Sequence, residues 1–442
     1  MANLTISGVE KSFGRKKALS GIDLTVQDGE FCVVVGPSGS GKTTLLRAIA
    51  GLEDVDAGTV SFDREVVNDL KPRDRNVAMV FQRPVLFPHL TVYANIAFGL
   101  RARSMSRAEM IPRVERVADA LGISHLFSRY PRHLSEGECQ SVAIAHAVVR
   151  DALAFLFDEP LSRLDTVQRE ATRAALKMLH QEKPMTAIYV TQDQMEALNL
   201  ADRVVLLRDG RVEQDGAPID LFERPASRFV AGFFGPLKMN FLAGTVVRSE
   251  GRDAILLANG AVSVPLPPGR LPKNAADGSK VILGLRPEHM MRAVRVSPSD
   301  GTLRYEAEIE LIQPTGSRVR ATFRMGGEAV VAELQAHDVS APGEKVSIDI
   351  NLKRATFFDA ETEKALSRIS AGATHKAPEA AASEPPPTAS PAKPVEPAEQ
   401  TKQAKQAEPV EPVETAELAE SVEPTEATQP QEAAEPAEST KA

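Results

Sequence analysis

The sequence predicts an α/β domain on a mostly parallel sheet, then a smaller all-β domain, then an acidic extension. Three observations carry that expectation. Short, continuous apolar runs alternate with helical stretches over residues 1–235, the pattern of buried strands covered on both faces. A glycine-rich turn at 36–41 joins one such run to a helix. Beyond about 240 the apolar residues recur at every second position between Gly and Pro breaks, which is the period of an all-β domain.

In chain order, residues 30–35 form a short buried strand in which Phe31, Cys32, Val33, Val34 and Val35 follow one another. A helix over 42–50 comes next and is closed by Gly51, because glycine adopts the left-handed conformation that ends a helix. Residues 154–157, 187–190 and 203–207 are further buried strands. Between about 88 and 150 the pattern is mainly helical, which predicts an inserted helical subdomain. The segment 236–368 alternates most plainly at 305–312 and 345–352 and is expected to fold as a small barrel-like β domain. Residues 369–442 repeat Glu-Pro and Pro-Ala units, as at Val395-Glu396-Pro397 and Val410-Glu411-Pro412. With so few large apolar side chains this tail cannot offset the entropy of ordering, and it is expected to be disordered.

Composition narrows the function classes. Hydrophobic residues at 43% and charged residues at 25% are ordinary for a soluble globular chain. No apolar run approaches the ~18 residues that would span a bilayer, and residues 1–8 lack the basic and apolar pattern of a secretory leader. The two cysteines, Cys32 and Cys139, are too few for a disulfide framework and suit a reducing cytosol. The net charge of −8 belongs to the tail, where 14 Glu face five Lys from 371 onward. The rest is close to neutral, without the basic field of a nucleic-acid binder, and no nucleic acid is expected as a partner.

The chemistry is concentrated at Gly36-Pro37-Ser38-Gly39-Ser40-Gly41-Lys42-Thr43, followed by Thr44, which matches G-x-x-x-x-G-K-[ST] between a buried strand and a helix. Glycines let the backbone wrap a phosphate, so that successive N–H groups and the helix N-terminus face the anion. Lys42 adds a point charge for the outer phosphates, and the Thr43 hydroxyl can ligate Mg²⁺. A second element, Phe155-Leu156-Phe157-Asp158-Glu159, is an apolar strand ending in two carboxylates. Asp158 is suited to hold Mg²⁺ through water, and Glu159 to polarise an attacking water. Together they predict a P-loop nucleotide triphosphatase.

From here the residues resemble one family, the ATP-binding subunits of ABC transporters. Phe81-Gln82 stands at the Q-loop position, and Leu134-Ser135-Glu136-Gly137-Glu138 stands where the family signature Leu-Ser-Gly-Gly-Gln belongs. Leu161-Ser162-Arg163-Leu164-Asp165 is similar to the D-loop, and Phe13 lies at the aromatic position that stacks on adenine. The resemblance implies that Gln82 joins Thr43 and Asp158 around Mg²⁺. It also implies that Ser135 and Gly137 hold the γ-phosphate of an ATP bound to a second ATPase subunit, identical or different. The segment 84–89 after Gln82 is, by the same resemblance, a contact for a membrane subunit's coupling helix. Further on, residues 235–242, Leu285-Arg286-Pro287-Glu288-His289 and Phe357-Phe358-Asp359 resemble the OB-like (TOBE) regulatory domain of maltose-type importer ATPases. The implied function is ATP hydrolysis at the cytoplasmic face of the cell membrane, driving import of a carbohydrate or sn-glycerol 3-phosphate through separate permease subunits and, indirectly, an external solute-binding protein. Polyamine, sulfate and iron importers carry related β domains. A catalytically impaired regulatory subunit and a soluble ABC ATPase without a transporter are the competing classes; co-purification with permease subunits separates them from the first.

Two departures from the family pattern bear on turnover. Gln192, in Thr191-Gln192-Asp193, stands where relatives carry a His that contacts the γ-phosphate. An amide can donate a hydrogen bond but cannot carry a proton near neutral pH. Glu136 and Glu138 replace Gly and Gln in the signature, and a carboxylate ~4 Å from a phosphate charge repels it by up to about 4 kcal/mol at an effective dielectric near 20. Cys139, Ser141 and His146 stand where many relatives carry arginines, and are read either as tolerated solvent-facing changes or as part of an impaired site. ATP binding is expected to survive these changes, with Lys42, Glu159 and Gln192 as the catalytic set and hydrolysis slower than in an intact relative.

Overall fold

A computed structural model describes residues 2–248, 253–272, 275–293 and 301–366, all within one unit, Met1–Gly372. The acidic tail expected to be disordered lies outside the described residues. The central sheet has six strands, in spatial order Arg211–Gly216, Arg203–Arg208, Phe31–Val35, Ala187–Thr191, Ala154–Asp158 and Val77–Val80. All neighbours pair in parallel except the first two, which pair antiparallel. Parallel pairing brings the C-terminal ends of five strands to one edge, and ligands bind there in open α/β sheets.

The unbroken apolar runs are explained by two covered faces. Phe31, Val33, Val35, Phe155, Phe157 and Tyr189 point into one core with the helices Val92–Arg101, Arg107–Ala120, Glu136–Val148 and Thr166–Glu182. Cys32, Val34, Leu156, Ile188 and Val190 point into another with the helix Lys42–Ala50. This second core is closed by a four-stranded antiparallel sheet of Leu4–Phe13, Lys16–Val26, Ala57–Phe62 and Glu65–Val66, which sequence reading did not place. Its hairpin slips register between Ile6 and Val9 and again near Glu10, which breaks the alternation that would have marked it.

Beyond the short helices Pro218–Glu223 and Arg228–Phe233 the described residues form β-strands with 3-10 turns between some of them. One five-stranded sheet runs in the order Val262–Pro265, Ala254–Leu257, Asn240–Val247, Lys280–Leu285, Thr356–Asp359. The other runs Met290–Arg292, Lys345–Asn351, Thr302–Pro314, Arg318–Met325, Glu328–Gln335. Their inward side chains share one core, including Val246, Leu283, Ile309, Phe323 and Ile348. Arg286 ties this part to the α/β part. It is 3% exposed, donates to the carbonyls of Phe234 (2.8 Å) and Phe222 (2.6 Å), and lies over the Phe222 ring.

Candidate active site

The glycine turn leaves the end of Phe31–Val35 and enters the helix Lys42–Ala50. It is glycine-bound for steric reasons. A Cβ on Gly36 would lie 2.3 Å from the Leu207 carbonyl oxygen, and one on Gly41, at φ 104°, would lie 2.5 Å from that of Ala18. Pro37, Ser38 and Gly39 form the exposed rim, while Ser40 and Lys42 are buried. The Lys42 ammonium donates to the carbonyls of Gly36 and Pro37, both at 2.9 Å, and so curls over its own turn. Burial pulls its pKa below the ordinary lysine value, against the attraction of Glu159 and Asp158.

Thr43, in the first turn of the helix, donates its hydroxyl to Asp158 Oδ1 at 2.9 Å. Asp158 ends the strand Ala154–Asp158 and is 7% exposed. Burial raises its pKa above the usual carboxylate range; the Thr43 hydrogen bond lowers it, and neighbouring Glu159 adds to the rise. The buried hydroxyl Oγ of Ser40 has no hydrogen-bond partner. A cradle that excludes side chains, an orphaned hydroxyl, an ammonium satisfied only by carbonyls, and a hydroxyl touching a carboxylate fit a phosphate chain with a hard cation. Thr44, half-buried in the same turn, sits beside this set.

Glu159 is the centre of a second cluster. It adopts φ 44°, a left-handed conformation uncommon for a residue with a side chain. Its Oε1 accepts from Gln192 Nε2 at 2.7 Å and its Oε2 accepts from Gln82 Nε2 at 3.0 Å. Strand order explains the clamp. The strand ending at Asp158 lies between the strand ending at Thr191 and the strand ending at Val80, so Gln192 and Gln82 flank Glu159. Gln82 uses its amide nitrogen on Glu159 and leaves its carbonyl oxygen available. The exposed Phe13 (49%) closes the first hairpin with the Lys11 ammonium 5.4 Å from its ring centre, and is not a core residue.

The signature segment also becomes legible. Ser135 caps the helix Glu136–Val148: its Oγ accepts from Glu138 N–H at 3.2 Å, and the Glu138 carboxylate accepts from Ser135 N–H at 2.7 Å. That backbone hydrogen bond holds the Glu138 carboxyl below its ordinary pKa. Glu136 pairs with Arg163 of the segment 161–165. Gly137 is buried against Gln168, whose Oε1 would meet an added Cβ at 2.1 Å. Both acidic replacements are therefore engaged within the chain. The reading of Cys139, Ser141 and His146 as solvent-facing is corrected. Ser141 is 8% exposed, Cys139 is partly buried with Sγ 3.7 Å from the Pro131 carbonyl, and half-buried His146 places Nδ1 2.7 Å from the Asn95 carbonyl. Sequence reasoning missed the pairing of Arg163 with Glu136, the role of Gln168 and the capping box, although Ser135-x-x-Glu138 before an apolar run is the pattern of that box.

Comparisons with known proteins bear on the family and the domain content. The family described as "ABC transporter" matches residues 19–162, "MalK OB fold domain" matches 238–290, and "TOBE domain" matches 283–358. A protein of Sinorhizobium fredii called an uncharacterized ABC transporter ATP-binding protein is 42% identical, over 82% of this chain and 94% of its own length. The sn-glycerol-3-phosphate import ATP-binding protein UgpC of Ralstonia nicotianae is 40% identical, over 84% of this chain and all of its own. The multiple sugar-binding transport ATP-binding protein MsmK of Streptococcus mutans is also 40% identical, over 83% of this chain and all of its own.

Proposed function

The chain belongs to the ATP-binding subunits of ABC transporters, and from that premise we propose that it hydrolyses ATP to drive import of a carbohydrate or sn-glycerol 3-phosphate. The observation that carries the proposal is the convergence of the glycine cradle, the Thr43–Asp158 contact and the clamped Glu159 at one sheet edge. The solute class rests on the relatives named for sn-glycerol 3-phosphate and multiple sugars, and on the β domain. We assign the ATPase domain to 1–235, with its helical subdomain at about 88–150, and the OB-like TOBE regulatory domain to 236–368.

In this reading the loop amides and Lys42 bind the β- and γ-phosphates, and Phe13 offers its exposed ring to the adenine. Thr43, Asp158 and the Gln82 carbonyl would hold Mg²⁺, which would supply charge neutralisation of the phosphate chain. Glu159 accepts a proton from the attacking water, while Gln192 and Gln82 fix the direction of its lone pairs. Ser135 and Gly137 serve the γ-phosphate of a nucleotide held by a second ATPase subunit. Because Gln192 cannot take up a proton, the site relies on Glu159 alone for proton movement, and turnover is slower than with an imidazole at this position.

We assign the permease contact to residues 84–89. Val85 is 72% exposed, and the tilted rings of Phe87 and Phe98 pack with centres 4.4 Å apart at an exposed surface. Buried Asn95 supports this loop by accepting from Phe87 N–H and donating to the carbonyls of Phe87 and Leu90. Among the described residues no helix is long and apolar enough to cross a membrane, so the permease subunits supply the crossing. The test is reconstitution with the adjacent permease and binding-protein products in vesicles. ATP-dependent uptake of glycerol 3-phosphate or a sugar is expected, and ATP hydrolysis that no permease stimulates would overturn the transport assignment.

A further inference from the structure

At the opposite end of the strands that present Asp158 and Gln192, a cavity of about 360 Å³ opens between the helix Arg107–Ala120 and the sheet. Its apolar lining includes Val117, Val148, Phe155 and Leu179. Its charged groups are unevenly paired. Arg113 makes a two-pronged contact with Asp151 at 2.6 and 2.7 Å, and Lys183 reaches the same carboxylate at 3.1 Å. Arg116 lies 3.8 Å from Glu182, and Glu109 turns back to cap its own helix through Ser106. Nearby Arg103 donates to the Asp151 carbonyl and to the Asn76 side chain, both uncharged acceptors.

Arg150 is the exception. Its side chain has no hydrogen bond or ion pair among the described residues, and its Nε is sealed from solvent without an acceptor. The helix Val92–Arg101 makes room for the stem at Gly99, where a Cβ would sit 3.0 Å from Arg150 Cδ. A half-buried guanidinium kept without a counter-charge loses hydration that nothing in the chain returns. Burial and the repulsion of Arg103 both act against its charge. Unpaired positive charge over an apolar lining is complementary to one kind of molecule.

We propose that this cavity binds an amphipathic oxyanion, with its head on Arg150 and its apolar body against Val117, Val148, Phe155 and Leu179. The site is separate from the nucleotide loop and abuts the far end of the helix that Ser135 caps.

The experiment is calorimetric titration of the full chain with octyl phosphate, octanoate, octanol and inorganic phosphate, with the nucleotide loop held by saturating MgADP. At least one of the two amphiphiles is expected to bind at least tenfold more tightly than octanol or inorganic phosphate, and the tighter of them identifies the head group. Arg150→Gln is expected to weaken that binding at least tenfold. Arg116→Glu, on a side chain 54% exposed and therefore safe for folding, is expected to weaken it at least threefold. Absence of binding by both amphiphiles, binding of octanol or phosphate as tight as theirs, or unchanged affinity in Arg116→Glu would overturn the proposal. So would unchanged affinity in Arg150→Gln.

Discussion

Glu159 owes its orientation to two amides, and that makes Gln192 the residue whose replacement is most informative. Gln192→His is expected to raise the rate of phosphate release about threefold or more and to introduce a pH dependence between about 6 and 7 that the wild type lacks. Identical rates and pH profiles in the two proteins would refute the role given to this position. Asp158 supports a second prediction. Its pKa is raised by burial, so the folded state disfavours its charged form. A carboxyl with a raised folded pKa costs stability above that pKa, and the cost is relieved as pH falls through it. Asp158→Asn therefore raises the unfolding midpoint of the nucleotide-free chain by about 2 °C at neutral pH while it abolishes Mg²⁺-dependent hydrolysis, a trade common at functional sites. A lowered midpoint in thermal melts would contradict this. Residue identity made Lys42, Thr43, Asp158 and Glu159 legible in advance, because each stands in a motif whose spacing implies its chemistry. The Gln192–Glu159 hydrogen bond was not legible, since it depends on which strand lies between which.

At the scale of elements, the helix Glu136–Val148 shows how local chemistry alters the reading of a motif. Two carboxylates at a helix start proposed to serve a phosphate look repulsive in sequence, yet Glu138 completes the cap and Glu136 pairs with Arg163. Acidic groups near a helix N-terminus are also favoured by the dipole. Glu138→Ala is expected to cost about 0.5–1 kcal/mol in urea unfolding, because Ser135 N–H loses its partner. A change within error would mean that the cap contributes nothing. The parallel strands were the easiest elements to foresee, since burial on both faces makes them continuously apolar. The antiparallel sheet beside them was missed because its bulges, around Ile6 to Glu10, spoil the two-residue period. The solvent-facing reading of Cys139, Ser141 and His146 fails because a helix packed on several sides offers no polar stripe to distinguish inside from outside.

For the whole molecule, the α/β and β parts are coupled by a buried cluster of Ala231, Met239, Ile282 and Phe358, by backbone hydrogen bonds such as Arg228 N–H to the Glu363 carbonyl, and by Arg286. Arg286 inserts from the β part into carbonyls at both short helices that end the α/β part, and Arg354 and Arg228 add ion pairs to Glu223 and Glu363. Arg286→Ala removes the donor from the buried Phe234 carbonyl and the partly buried Phe222 carbonyl and is expected to destabilise the protein by about 2–3 kcal/mol, with the β part unfolding separately from the α/β part in calorimetry. Retention of the wild-type transition would show that the junction does not couple them. The central claim is that the glycine cradle, Lys42 and the acidic strand end form one nucleotide site. Its most direct test is fluorescence titration with MANT-ATP and Mg²⁺, on the full chain and on Lys42→Ala. The wild type is expected to bind below millimolar nucleotide and Lys42→Ala at least tenfold more weakly; no binding by the wild type at millimolar MgATP, or equal binding by the two proteins, would contradict the account.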